Sequence, residues 1–390
     1  MISFDNTEIA FKYKSTKDLK RAYTMFKLVG KSWLVQFGKF MVPIAFKLRL
    51  PINGIIKATI FKQFCGGETI DNCDDTIKTL HENNVGTILD YSVEGKTDEK
   101  DFDFTRDEIL ATIEKANGNK GIPFSVFKVT GLSRHALLEK LNDEKAEPSA
   151  LEKAEFARVV NRINDICKHA HDSKVPIFID AEESWIQETL DRVVESMMAK
   201  YNKEQCIVYN TFQMYRHDRL QHIKEGIEKA KREGYKFGGK VVRGAYMEKE
   251  RERAAEMEYP SPIQPDKIST DIDFNAAIKL MVEEIEHCAL CCGTHNEDSS
   301  HMLVNLMDEK NIAKDDKRIY FAQLLGMSDN ISFNLAYHGY QVAKYVPYGP
   351  VKEVMPYLLR RADENTSVAG QTGRELNLIS REWKRRKLLK

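Results

Sequence analysis

The chain has 390 residues, 30% of them charged and 42% hydrophobic, with a formal net charge of zero. That length holds one large α/β domain with additions, or two domains, and the composition is ordinary for a globular protein. A balanced charge excludes the global field that draws nucleic acid, so no nucleic-acid partner is expected.

The first residues, Met1-Ile-Ser-Phe-Asp-Asn-Thr-Glu-Ile, read as neither a signal peptide nor an Arg-rich transit sequence. No run of 18 or more apolar residues is present, so the expected location is cytoplasmic. Residues 1–75 read as helical. Ser15-Thr16-Lys17-Asp18 offers a cap before the helically spaced stretch that begins at Leu19. A second helix is expected from Lys31 to about Leu50, stopping at Pro51. Its Trp33, Phe37, Phe40, Met41 and Ile44 form a broad apolar face that is expected to pack against something. Cys65-Gly-Gly-Glu-Thr reads as a turn, with Thr69 or Asp71 capping a helix through about Glu82.

From there short apolar runs alternate with charged, helically periodic stretches. The runs are Gly86–Tyr91, Phe124–Thr130, Val175–Asp180, Cys206–Thr211, Lys240–Tyr246, His287–Gly293, Ile319–Leu325 and Gln341–Tyr345. Most are rich in β-branched or aromatic residues and bounded by Gly, Pro, Asn or Asp, the pattern of strands. Helices are expected at Glu152–Ala170, Ile186–Tyr201, Leu220–Gly234, Asp273–Glu286 and Ser299–Glu309. Thr270 or Asp271 is expected to open the helix that follows the proline-rich loop from Glu258. Eight strands alternating with helices is the arithmetic of a (βα)8 barrel in the α/β class. The competing doubly wound sheet usually carries a glycine-rich fingerprint after its first strand, and Asp90-Tyr-Ser-Val-Glu-Gly has none. The expected organisation is an N-terminal helical region at 1–80, the barrel at 81–366 and a basic tail at 367–390. That tail ends in Arg381-Glu-Trp-Lys-Arg-Arg-Lys-Leu-Leu-Lys. It reads as either a solvated end or a basic amphipathic helix at a membrane surface. The seven cysteines form no regular framework and read as free thiols; Cys288, Cys291 and Cys292 fit a buried strand better than a zinc site.

A barrel draws its chemistry from the C-terminal ends of its strands. Those ends carry Asp90 and Tyr91, then Lys128, then Asp180 and Glu182, then Asn210 and Gln213, then Arg243 and Tyr246 with Lys240 inside the strand. Thr294-His295-Asn296, Gln323 and Tyr345 follow. Polar groups at every strand end describe a rim built around a ligand. Lys128 suits a Schiff base, a carboxylate partner or a structural ion pair. His295 suits acid–base work, a ligand contact or packing. The site is rich in Arg, Lys, Tyr and Gln, and no metal-ligand motif accompanies it, so it is expected to bind anions and no metal. Beyond the last strand, Tyr357-Leu-Leu-Arg-Arg-Ala-Asp-Glu-Asn365 winds into a helix whose stripe is Val354, Leu358 and Ala362. Tyr357, Arg361 and Glu364 border that stripe, with Arg360 just beyond. Taken alone, this helix reads either as an anion clamp or as a solvated face with Arg–Glu pairs.

Five motifs in order settle a resemblance: Lys240-Val-Val-Arg-Gly-Ala-Tyr246, Gly293-Thr-His-Asn296, Gln323-Leu-Leu-Gly-Met327, Lys344-Tyr-Val-Pro-Tyr-Gly349 and Tyr357 to Asn365. Together they resemble the proline dehydrogenases, FAD-dependent (βα)8 barrels that oxidise L-proline to Δ1-pyrroline-5-carboxylate and pass electrons to a quinone. The last three motifs resemble the eukaryotic form more than the bifunctional bacterial one. The resemblance implies that Arg360, Arg361 and Lys128 hold the proline carboxylate and that Glu364 stabilises that cluster. It implies that Tyr345 packs on the proline ring, held by Asp180, while Tyr246, Leu324 and Tyr357 shape the pocket. Gln213, Lys240, Arg243, Ala245, Thr294, His295, Asn296 and Glu364 are implied at the cofactor. Bifunctional members carry Arg where this chain has Lys240, which keeps the charge but loses a bidentate contact. Flavin reactivity is therefore expected to differ from theirs. A quinone acceptor further implies contact with the inner face of a membrane through the basic tail or the apolar N-terminal helices. The rivals are a hydroxyproline dehydrogenase on the same fold, an aldolase-like barrel using Lys128 as a Schiff base, and a scaffold binding an anionic partner through the Arg pair. Tyr345 favours proline over its 4-hydroxylated form, because a smaller residue is expected where a hydroxyl must fit.

Overall fold

Runs of Val, Ile, Phe, Tyr and Cys bounded by turns become eight parallel strands. They are β1 (Gly86–Tyr91), β2 (Phe124–Lys128), β3 (Ile177–Asp180), β4 (Val208–Gln213), β5 (Phe237–Val242), β6 (Cys288–Gly293), β7 (Ile319–Leu324) and β8 (Val342–Tyr348). They follow one another in sequence order and close into a barrel with helices between them, the expected (βα)8 fold. The computed structural model describes residues 2–48, 50–93, 97–367 and 371–388, apart from the side chains of 32, 363–367, 371, 372 and 388. The chain divides into two units, one of residues 1–94 with 323–390 and one of residues 95–322.

Several boundaries differ from the sequence reading by a few residues. β5 begins at Phe237 and ends at Val242, so Arg243 to Tyr246 form the loop beyond it rather than the strand end. β8 runs on to Tyr348 through Pro347, which leaves Tyr345 inside the strand. Proline lacks an N–H, but the Pro347 carbonyl still accepts from the Gly66 N–H at 2.9 Å. The helix expected to open at Thr270 or Asp271 opens at Lys267, because the Asp266 side chain accepts from the Ser269 N–H at 2.7 Å.

In the unit of 1–94 and 323–390, Ser15 caps the helix Thr16–Val29 through the Asp18 N–H, as its sequence suggests. Leu19, Ala22 and Phe26 of that helix enter a core shared with Phe11, Phe64, Met327, Val354, Leu358, Leu378 and Ile379. The helix Ser32–Lys47 turns Val35 and Ala45 inward. Its Trp33, Phe37, Phe40, Met41 and Ile44 remain exposed, so the face expected to pack is the face left outside. The basic segment near the C-terminus is the helix Gln371–Leu388, and it is docked. Arg386 donates to the carbonyls of Phe11 (2.7 Å) and Lys14 (2.8 Å), and the fully buried Glu382 accepts from Thr7, Arg385 and Arg386.

A buried ionic cluster lies behind β8 in the same unit. The Lys344 ammonium, wholly enclosed, donates to the carbonyls of Leu324 and Met327 and to Asp329 at 3.0 Å. Asp329 also accepts from the Tyr13 hydroxyl at 2.7 Å. Burial pushes the Asp329 carboxyl up, but Lys344, Lys14 and Tyr13 outweigh it and bring it to about 2. Glu375, on the C-terminal helix, accepts from the Ser328 N–H. Burial, with Asp329 beside it, pushes that carboxyl up to about 7. A carboxyl raised above its unfolded value stabilises the fold fully only at low pH, and stability is lost as pH rises from about 4 to about 7. Glu375→Gln keeps an oxygen for Ser328 and removes the titration. It is expected to stabilise the protein by about 2 kcal/mol at pH 8 and by little at pH 4, measured by urea unfolding at both.

Candidate active site

The unit of 95–322 sets charged groups at the ends of strands whose interiors are apolar. Lys128 is the last residue of β2 and stands in register with Asp180, the last of β3. On β5, Lys240 stands in register with Thr211 of β4 on one side and Cys291 of β6 on the other. The side chains meet: Asp180 accepts from Lys128 at 3.4 Å and also pairs with Lys240. Lys240 is 4% exposed and lies 5.2 Å from the Phe178 ring centroid. One carboxylate therefore serves two ammoniums. Asp180, expected to hold Tyr345, has these two lysines as partners within its own unit. Lys128 is thus part of an ion pair.

A second array gathers beyond β5 and β6. Arg243 donates to Asp271 at 2.6 Å, to the Thr294 hydroxyl at 2.7 Å and to the Ser299 hydroxyl at 3.0 Å. Its guanidinium also lies 4.2 Å from the Phe274 ring centroid. Burial opposes the charge on Asp271, but Lys267 and Arg243 hold its carboxyl below the usual range. Asp271 and Ser299 were missed from the sequence, where nothing but tertiary contact marks them as the partners of Arg243. Asn296 caps the helix Glu297–Glu309 by accepting from the Ser299 N–H at 2.9 Å, and the half-buried His295 precedes it.

Gln213, at the end of β4, uses both ends of its amide. It donates to the Glu182 carbonyl at 2.7 Å and accepts from the Ala245 N–H at 3.0 Å. Gly244 makes that turn possible. Its φ is +134°, and a Cβ there would come within 2.5 Å of the Tyr215 ring. Tyr246 follows, half-buried, at the start of the helix Met247–Glu256. Glu182 also went unrecognised as a support. Its buried carboxylate accepts from the backbone N–H (2.9 Å) and the hydroxyl of Thr130, which fixes the turn just after Lys128. Burial pushes that carboxyl up to about 7 against the Thr130 hydrogen bonds.

The other unit carries the remaining candidates. Leu358 and Ala362 of the helix Met355–Ser367 are buried along the expected stripe, as is Val354 just before it. Arg361 is 8% exposed and stacks 5.1 Å from the Tyr357 ring centroid, while Arg360 is half-buried. Glu364 falls in this helix, but its side chain lies outside the described residues. Tyr345 is buried in β8 and Leu324 ends β7, half-buried. The Gly326 carbonyl just beyond accepts from Gln63 at 2.9 Å.

The donor set suits a flavin. Buried Lys240, Arg243 with Thr294, and the capped start of the helix Glu297–Glu309 offer cations and N–H groups to an electron-rich ring and to phosphates. The hydroxyl of Thr211, in register with Lys240, is buried without a hydrogen-bond partner among the described residues. Among those residues only Glu188, Asp191 and His222 group as a metal ligand set would. Arg219 bonds both carboxylates there, at 2.8 and 2.7 Å, which makes the group an ion-pair network.

Comparison with known proteins agrees with this geometry. Residues 73–374 match the proline dehydrogenase family. Proline dehydrogenase 1, mitochondrial, of Dictyostelium discoideum is 33% identical over 96% of this chain and 73% of its own length. A hydroxyproline dehydrogenase of Xenopus laevis is 29% identical over 96% of this chain and 88% of its own length. Other curated relatives are longer, and the match covers 44% and 54% of two of them. Among solved structures, proline utilization A from Bdellovibrio bacteriovorus superposes with a TM-score of 0.72 at 18% identity, over 93% of this chain and 38% of that one. That likeness shows the fold.

Proposed function

This chain belongs to the proline dehydrogenase family, and from that premise we propose that it oxidises L-proline to Δ1-pyrroline-5-carboxylate, with FAD as the hydride acceptor, from proline C5 to flavin N5, and a quinone as the final acceptor. The observation that carries the proposal is the pair of ammoniums, Lys128 at the end of β2 and Lys240 within β5, on one carboxylate at the end of β3. Two ammoniums brought together suit an amino-acid carboxylate.

Arg360 and Arg361 bind the substrate carboxylate, with Lys128 reaching it, and Glu364 braces the pair. Fixing the carboxylate orients the ring, which is catalysis by positioning. Tyr345 packs on the ring, and Leu324, Tyr246 and Tyr357 shape the space around it. The same cations lower the pKa of the ring nitrogen and so favour its loss of a proton before C–H cleavage. Gln213, Lys240, Arg243, Ala245, Thr294, His295 and Asn296 hold the cofactor. A quinone acceptor places the enzyme at a membrane surface. The test is proline-dependent reduction of a soluble dye with formation of the cyclic imine. Turnover with proline absent, or none with it present, would contradict the reading.

One relative is a hydroxyproline dehydrogenase, and Tyr345 is the residue that favours proline. Proline is expected to exceed trans-4-hydroxy-L-proline in kcat/KM. Tyr345→Ser should narrow that ratio by about tenfold, the value of one cleared contact in a pocket. An unchanged ratio would remove Tyr345 from the specificity argument.

A further inference from the structure

The helix Ser32–Lys47 presents two apolar faces. Val35 and Ala45 are buried, and Val42 and Phe46 pack against the same core. The opposite face carries Trp33 at 67% exposure, Phe37 at 56% and Phe40 at 68%, continued by Met41, Ile44 and Leu48. These recur every three or four residues, so they form one stripe. Ile55, also exposed, lies just beyond. Scattered exposed apolar residues need no explanation, but a contiguous aromatic stripe marks an interaction surface.

Charge identifies the partner. From Leu19 to Phe64 the chain carries nine Lys and Arg and not one Asp or Glu. Acids from outside the stretch pair with it near its ends, Asp18 with Arg21 at 3.0 Å and Glu68 with Lys57. Lys31 and Lys47 bracket the exposed stripe at the two ends of its helix. A second copy of the chain fits poorly, because face-to-face pairing sets one acid-free basic segment against another. Among the described residues no helix is long and apolar enough to cross a membrane.

We propose that Trp33, Phe37, Phe40, Met41, Ile44 and Leu48 insert into the headgroup region of an anionic lipid bilayer while the surrounding lysines pair with its phosphates, so that the helix Ser32–Lys47 lies in the plane of the membrane surface. Aromatic rings favour that interfacial depth, and each nearby cation adds attraction to anionic lipid. The basic C-terminal helix, by contrast, spends much of its charge inside the protein, with Arg385 and Arg386 on Glu382. The inference rests on the quinone reading above for what the docking serves, since a lipid-phase acceptor is reached from a membrane surface.

The experiment uses the full chain and sedimentation with vesicles of phosphatidylcholine, with and without phosphatidylglycerol. The wild type should bind the anionic vesicles and lose binding as salt rises. A Trp33→Ser, Phe37→Ser, Phe40→Ser variant changes only exposed positions. It should bind about tenfold or more weakly while oxidising proline with a soluble dye at the wild-type rate, and it should fail with quinone embedded in vesicles. Lys31→Glu with Lys47→Glu should weaken binding to anionic vesicles alone. Wild-type protein that leaves vesicles untouched, or a triple variant that sediments like wild type, would overturn the proposal. So would a dimer that the triple variant splits, which would assign the face to a second copy. Wild type that binds vesicles but oxidises no proline would sink the functional reading and keep the docking face.

Discussion

Arg361→Met is expected to raise the Michaelis constant for L-proline by about a hundredfold, the equivalent of roughly 3 kcal/mol for a charged, bidentate contact. Flavin content should stay near the wild-type level. The guanidinium lies in a helix that buries Leu358 and Ala362, and it stacks on Tyr357. Met keeps the apolar length of that stack and removes the donors. Loss of carboxylate binding weakens ground state and transition state alike, so the change should fall on KM more than on kcat. Steady-state kinetics beside a flavin-to-protein absorbance ratio checks this. A comparable loss of flavin would move Arg361 from the substrate to the cofactor.

Asp180→Ala is expected to destabilise the protein by about 3 kcal/mol and to depress proline turnover at least as severely as any single change in this unit. The reason is asymmetric. Removing the carboxylate leaves the Lys240 ammonium, 4% exposed, facing Lys128 without its shared counter-charge. Losing one member of a buried ion pair costs more than losing both. The double variant Asp180→Ala with Lys240→Met should therefore recover part of the stability, though not the activity. Urea unfolding of the two single variants and the double closes that cycle. Additive losses would show that Asp180 and Lys240 act apart.

Much of the barrel was legible because its strands are short apolar runs between turn residues, and the stripe of Val354, Leu358 and Ala362 followed from helical period alone. β5 was displaced because Gly238-Gly239 reads as a strand breaker. In the fold Gly238 is required by crowding, since a Cβ there would come within 2.5 Å of the Val208 carbonyl, while one at Gly239 would meet the movable end of the Met281 side chain. β8 was cut short by Pro347, whose missing N–H the parallel register with Asp90 tolerates. The residue types at the strand ends pointed to an anion site, but their partners did not show. That Asp180 serves both Lys128 and Lys240, and that Asp271 and Ser299 hold Arg243, depends on side chains distant in sequence. The outward face of Ser32–Lys47 was misjudged for a related reason. Apolar periodicity says that a face leaves water, and it does not say whether protein or lipid receives it.

The reading stands most directly on one absorbance measurement, the visible spectrum of the purified chain before and after anaerobic addition of L-proline. The account predicts a flavin band that proline bleaches. A protein with no flavin band, or with a band that proline leaves unchanged, would contradict it.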